Sequence, residues 1–253
     1  MVLHHRILGE GPALIILHGL FGSLNNWQTL ARRFAAGRSV HLLDQRNHGR
    51  SPHDARHDYD LLGADLLEYM DQQGLRDATL LGHSMGGKVA MQAALAAPGR
   101  VDRLIVVDIA PRAYDPAHDD LMEALDALDL SVCDTREEAD ARLAIPDAAV
   151  RQFLLTNLKR DEGGRLGWRM NLPALREQYP NLLRAVTGPA PYPGPALFVA
   201  GGSSAYIQPA DEAGIRSLFP RSRIVTIQGA GHWVHAERPG EFAREVELFL
   251  AGA

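Results

Sequence analysis

One cysteine, Cys133, is all the chain offers for thiol chemistry, so an internal disulfide and a cysteine-rich zinc site are both excluded. A basic excess is also missing. The 26 Lys and Arg are outnumbered by 31 Asp and Glu, the net charge is −5, and no stretch concentrates positive charge, which excludes a duplex-binding surface. Nothing approaches the roughly 20 apolar residues of a membrane span, and Met1-Val2-Leu3-His4-His5-Arg6 lacks the apolar core of a signal peptide. A cytoplasmic protein is expected. Internal repeats and low-complexity segments are absent. What is present is an ordinary globular balance, 46% hydrophobic and 23% charged over 253 residues. At that length folding hides roughly 70–75% of the unfolded chain's surface without a metal or disulfide staple.

Short apolar runs bounded by Gly, Pro or charge recur at 13–17, 40–43, 78–81, 104–107, 197–200 and 224–227. Their near-continuous apolar character predicts strands buried on both faces of a parallel sheet. Helical patterns at 27–34, 61–73, 88–96, 211–218 and 241–250 fall between or after them. The alternation predicts an α/β fold, a mostly parallel open sheet with helices on both faces, whose ligands collect at the carboxyl ends of the strands. Between Pro111 and Gly194 the alternation stops, and the patterns at 119–128, 136–143, 147–159 and 173–186 read as helices only. Residues 1–110 and 195–253 are therefore expected to form the core, and 111–194 an all-helical lid inserted before the last two strands.

Leu80-Leu81-Gly82-His83-Ser84-Met85-Gly86-Gly87 fits the G-x-S-x-G nucleophile elbow, with the preceding strand and following helix that the motif demands. Glycines flank the serine because the turn is too tight for side chains, and Ser84 is lifted to the sheet's rim at a helix N-terminus. A serine hydroxyl needs a base. Of eleven histidines, His232 in Gly229-Ala230-Gly231-His232-Trp233 follows the last strand pattern and reaches the same rim in the required order. His235 reads as a solvated or packing residue, and His83 is expected to face away from Ser84. The residue after the nucleophile, Met85, supplies one backbone N–H of an oxyanion hole. The second is expected from Leu17-His18-Gly19-Leu20-Phe21-Gly22, with Leu20 first and Phe21 as runner-up.

These stretches, with Asp44-Gln45-Arg46-Asn47-His48-Gly49-Arg50-Ser51, resemble the α/β-hydrolase fold superfamily over nearly the whole chain. The detail is most similar to the YbfF-like esterases: Asn26-Trp27, Val107-Asp108-Ile109-Ala110-Pro111, Trp168-Arg169-Met170-Asn171-Leu172 and Gly231-His232-Trp233-Val234-His235-Ala236-Glu237. The resemblance implies hydrolysis of short- to medium-chain carboxylic esters or acyl-CoA thioesters, with no metal or organic cofactor. The partner implied is a small-molecule substrate, handled by a monomer or a dimer. The sequence departs from the superfamily pattern after the lid, where Gly201-Gly202-Ser203-Ser204-Ala205-Tyr206-Ile207 carries Ser204 in the usual place of the catalytic acid. Asp108, which ends the strand before the lid, is expected to orient His232, with Ser204 as an auxiliary hydrogen-bonding group. Asp211 and Glu212 are the nearest alternative acids.

Blander readings apply elsewhere. His53 and His57 are four apart but lack the Glu base and third ligand of a zinc-protease helix. Asp44 and Arg46 read as loop-pinning charges, and Leu121, Leu125, Phe153, Leu154, Trp168, Met170 and Leu175 as lid core, some of it lining an acyl pocket. Two other functions compete with a serine hydrolase. A lyase of the menaquinone-pathway type would need lid arginines, with Arg169 and Arg176 available, around an anionic substrate. A non-catalytic binding protein of the same fold would commonly have lost Ser84 or His232.

Overall fold

The computed structural model describes residues 1–252. Seven strands form the main sheet: β1 (His5–Leu8), β2 (Ala13–Leu17), β3 (Ser39–Leu43), β4 (Ala78–His83), β5 (Val101–Val107), β8 (Ala196–Gly201) and β9 (Ser222–Ile227), in the order β1-β3-β2-β4-β5-β8-β9. All neighbours are parallel except β1, which runs antiparallel to β3 from His5 opposite Leu43 to Leu8 opposite Val40. The interior strands β4 and β8 are buried along their whole length, as the continuous apolar runs predict. Strand β1 left no such run because it has one neighbour and its middle residues, Arg6 and Ile7, are exposed.

Helices α1 (Gln28–Phe34) and α11 (Pro239–Ala251) cover one face, where Trp27, Leu30, Phe34, Phe242, Val246 and Phe249 pack on the sheet. Helices α2 (Tyr59–Gln72) and α3 (Met85–Ala96) cover the other. Helix α9 (Glu212–Leu218) joins β8 to β9, and the short α10 (Val234–Glu237) precedes α11.

Residues 111–194 carry α4 (Asp119–Ala127), α5 (Arg136–Arg142), α6 (Ala148–Leu155), α7 (Leu172–Glu177) and α8 (Tyr179–Leu183), but the segment is not all helical. The pattern read as helix over 147–159 stops at Leu155. Strands β6 (Leu158–Arg160) and β7 (Leu166–Trp168) then pair antiparallel. Turn chemistry overrides the helical periodicity here: Asp161 accepts from the N–H groups of Gly163 and Arg165, and Gly164 takes a φ of 80°. The 173–186 pattern is likewise two helices, broken at Gln178 ahead of Pro180. Met122, Leu125, Leu154, Met170 and Leu175 of this segment share one continuous hydrophobic cluster with Val106 of β5 and Val89 of α3.

Candidate active site

Ser84 is the single residue between β4 and α3, at φ 52° and ψ −119°. Side chains rarely adopt that conformation, which costs on the order of 1–3 kcal/mol. The turn holds because nothing else fits. A Cβ on Gly82 would lie 2.1 Å from the Gly86 carbonyl oxygen, and one on Gly86 would lie 2.6 Å from the carbonyl oxygens of Leu17 and His18. The Ser84 N–H donates to the Val107 carbonyl at 2.9 Å, tying the elbow to the next strand.

That strand ends on Asp108, fully buried and also at positive φ, 50°. Its backbone N–H donates to Val199 of β8. Its carboxylate is held on three sides: Oδ1 accepts from the Gly201 N–H at 2.9 Å, while Oδ2 accepts from Nδ1 of His232 at 2.8 Å and from the Ser204 hydroxyl. Asp211 and Glu212 are committed elsewhere. Asp211 pairs with Arg112 and accepts from the Gln208 N–H, and Glu212 pairs with Arg216.

His232 sits in the loop after β9, its ring stacked on Tyr206 with centroids 4.0 Å apart. With Nδ1 donating to Asp108, Nε2 has no hydrogen-bond partner among the described residues, and His232 lines the cavity together with Ser84. His83 does not turn away from this site. It lines the cavity with Ser84, and its Nε2 donates to the His232 carbonyl at 2.9 Å, so it supports the loop from beneath. Burial, with His232 and His235 next to it, holds the His83 imidazole neutral, well below its usual titration range. His235 packs flat on Trp27 at 4.1 Å, and burial pushes it down to about 3.

Met85 opens α3, so its N–H has no carbonyl one turn back. Of the pair in the turn after β2, Phe21 donates its N–H to Nε2 of His48 at 3.2 Å, and burial keeps His48 neutral by pushing it down to about 3. The Leu20 N–H has no partner among the described residues, and Leu20 borders the same cavity as Ser84.

That cavity encloses about 780 Å³. Leu121, Phe153 and Leu154 line it, with Val150; Leu125, Met170 and Leu175 are buried in the core instead, and Trp168 packs against it. A smaller cavity of about 320 Å³ also reaches Ser84 and is bordered by Met85, Tyr59, Tyr114 and Lys88. Lys88 left no signal in the sequence. It is 1% exposed, donates to the Arg184 carbonyl at 2.6 Å and lies 4.8 Å from the Tyr114 ring centre, so it ties α3 to the end of the 111–194 segment. Burial, helped by Arg112, pushes its ammonium down to about 7.

The remaining candidates lie apart. His53 bonds to the Arg169 carbonyl and His57 faces Asn47, so the two do not converge. Arg46 forms a buried two-pronged pair with Asp65, and Asp44 accepts from the N–H groups of Leu24 and Arg50, which pins the loop after β3. Arg176 pairs with Asp126, and neither it nor Arg169 borders the two cavities at Ser84. Cys133 is buried in the inserted segment.

A seven-stranded, mostly parallel sheet with a serine on a strained strand-to-helix turn is the architecture of a hydrolase, and residues 12–145 match the family model described as alpha/beta hydrolase fold. The chain belongs to that family and is an enzyme of esterase or lipase type. It is 42% identical over 250 residues to the sn-1-specific diacylglycerol lipase ABHD11 of Mus musculus, covering 95% of this chain and 81% of the relative. It is 39% identical over 240 residues to esterase YbfF of Escherichia coli strain K12, covering 94% and 92%. The solved structure of a marine microorganism esterase superposes with a TM-score of 0.96 at 41% identity, over 98% of both chains. Among the described residues no helix is long and apolar enough to cross a membrane.

Proposed function

We propose that this enzyme is a serine hydrolase cleaving carboxylic esters or acyl thioesters of short to medium acyl chains through an acyl-enzyme. The observation that carries the reading is the Asp108–His232 hydrogen bond on the rim that also bears Ser84, beside a cavity of about 780 Å³. Ser84 Oγ attacks the carbonyl carbon as His232 Nε2 takes its proton, and the resulting oxyanion accepts from the N–H groups of Met85 and Leu20. Collapse of the tetrahedral species breaks the bond to the leaving alcohol or thiol, which receives the proton from His232. Water, deprotonated by the same imidazole, then releases the acid and restores Ser84. Asp108 holds the tautomer with the Nδ1 proton, and Ser204 helps fix the carboxylate without replacing its charge.

Residues 111–194 act as the lid. Their apolar side chains wall the larger cavity, which suits an acyl chain. This chemistry calls for no metal or organic cofactor, and a cytoplasmic enzyme working as a monomer or dimer fits the sequence. The test is a fluorophosphonate probe followed by p-nitrophenyl esters from acetate to palmitate beside the matching acyl-CoAs. Labelling at Ser84 and turnover of esters or thioesters are expected. A folded protein that the probe does not label overturns the reading.

A further inference from the structure

Beside the edge strand a third cavity of about 330 Å³ is bordered by Arg6, Arg50, Arg169, His4, His5 and Asp44. The arginines come from the edge strand, the loop after β3 and the residue after β7, so only tertiary folding brings them to one cleft. Among the described residues eleven of the other 21 arginines pair with a carboxylate, as at Arg33–Glu247, Arg46–Asp65, Arg112–Asp211 and Arg216–Glu212; what sets this cleft apart is that three unpaired ones gather in it. Among the described residues Arg50 and Arg169 donate no side-chain hydrogen bond, and Arg6 makes only a long one, 3.4 Å, to Gln28. The one acid in the wall, Asp44, is buried, and its oxygens already accept from the Leu24 and Arg50 N–H groups at 2.8 and 2.9 Å.

With three arginines against the single carboxylate of Asp44, the cleft is net positive in a chain of net charge −5. We propose that it is a binding site for a di- or polyphosphate group, with Arg6, Arg50 and Arg169 as donors. Each guanidinium is a planar fork that matches phosphoryl oxygens, and a ligand of two or more charges is needed to balance their excess over Asp44; a lone carboxylate would leave half of it unmet. The cleft shares a wall with the catalytic cavity. In the turn Leu24–Trp27, Asn25 borders the cleft while Asn26 and Trp27 border the space at Ser84. Two sources carry this chemistry: a phosphorylated leaving group of the substrate, or a free polyphosphate. Only the first rests on the hydrolase mechanism proposed above.

Calorimetric titration of the Ser84→Ala protein with inorganic pyrophosphate tests the site while turnover is silent. One-to-one binding with a Kd below about 1 mM at low salt is expected. It should weaken by about tenfold in Arg50→Gln and in Arg169→Gln, and with added salt, at unchanged Tm. No binding up to about 10 mM, or an affinity indifferent to both substitutions, overturns the proposal. The source is read in protein with Ser84 intact. If the phosphate is on the leaving group, both variants raise KM for a coenzyme A thioester and leave the p-nitrophenyl ester of the same acyl group untouched. If it is a free ligand, both KM values stay unchanged unless pyrophosphate is added. The titration reads the cleft even where no ester is turned over, so its failure and that of the hydrolase reading are separable.

Discussion

Ser84 and Asp108 both hold positive φ angles without being glycine, and both lie at the carboxyl rim, one strand apart. Ser84 borders the cavity at this strained turn, and relieving the strain separates stability from activity. Ser84→Gly should raise Tm, since relief of about 1–3 kcal/mol exceeds the roughly 0.5–1 kcal/mol that glycine loses through the unfolded chain. Ser84→Ala should leave Tm near its starting value. Both should cut ester hydrolysis by on the order of 10⁴–10⁶, and residual Ser84→Ala activity above about a tenth would remove Ser84 as nucleophile. Asp108 takes the His232 proton side and the Ser204 hydroxyl on one oxygen. An amide there would favour the wrong imidazole tautomer, so Asp108→Asn should lower kcat by on the order of 10³–10⁴. Ser204→Ala and Asp211→Asn should each cost about tenfold or less, the second because Asp211 serves Arg112. A large loss at Asp211 with a small one at Asp108 would put the acid on the wrong strand.

Among the elements, α4 and α6 supply part of the apolar wall of the larger cavity. Leu121 projects from the first, and Val150, Phe153 and Leu154 from the second. Helix α6 is anchored by Asp147, whose carboxylate accepts from the N–H groups of Ala149 and Val150. With an apolar wall of this kind, kcat/KM over a series of esters should rise with each added methylene, by up to roughly 0.8 kcal/mol while the chain fits, and fall once the space is full. Leu121→Trp or Val150→Trp should move the optimum to shorter chains by filling that end. A series with no trend, or an optimum unmoved in both variants, would mean that these helices do not meet the acyl group.

For the molecule as a whole, the buried histidines set an acid limit. Burial pushes His18 and His118 down to about 4 and His48 and His235 to about 3. Unfolded, each binds a proton near pH 6.5; folded, each stays neutral to those lower values. Between the two the unfolded chain holds more protons, so the stability they permit is complete above about pH 6.5 and is lost as pH falls toward 4 and 3. Thermal unfolding should therefore show a clearly lower Tm at about pH 5 than at about pH 7.5, before most carboxylates protonate. Equal Tm values would show that these imidazoles gain compensating contacts on protonation.

What could be read in the sequence was whatever one element specifies by itself. Strands buried on both faces show as continuous apolar runs, and the glycine at position 82 follows from the closeness of the Gly86 backbone within the same turn, whereas that at 86 answers to the carbonyls of Leu17 and His18 where the neighbouring strand ends. The chain order of Ser84 and His232 could be read for the same reason, since each lies just beyond a strand. Other features were decided by residues distant in the chain. The edge strand β1 was hidden because one partner and two exposed residues leave no apolar run. The β6–β7 ribbon lay under a helical period that its Asp–Gly turn overrides. That the Phe21 N–H is occupied, while that of Leu20 has no partner among the described residues, turns on His48, supplied by the loop after β3. The convergence of Asp108, Ser204 and His232 depends on β5, β8 and β9 lying side by side. Periodicity records which way a side chain faces, whereas the group it meets is set by long-range packing, and that information exists only once the sheet has closed its order.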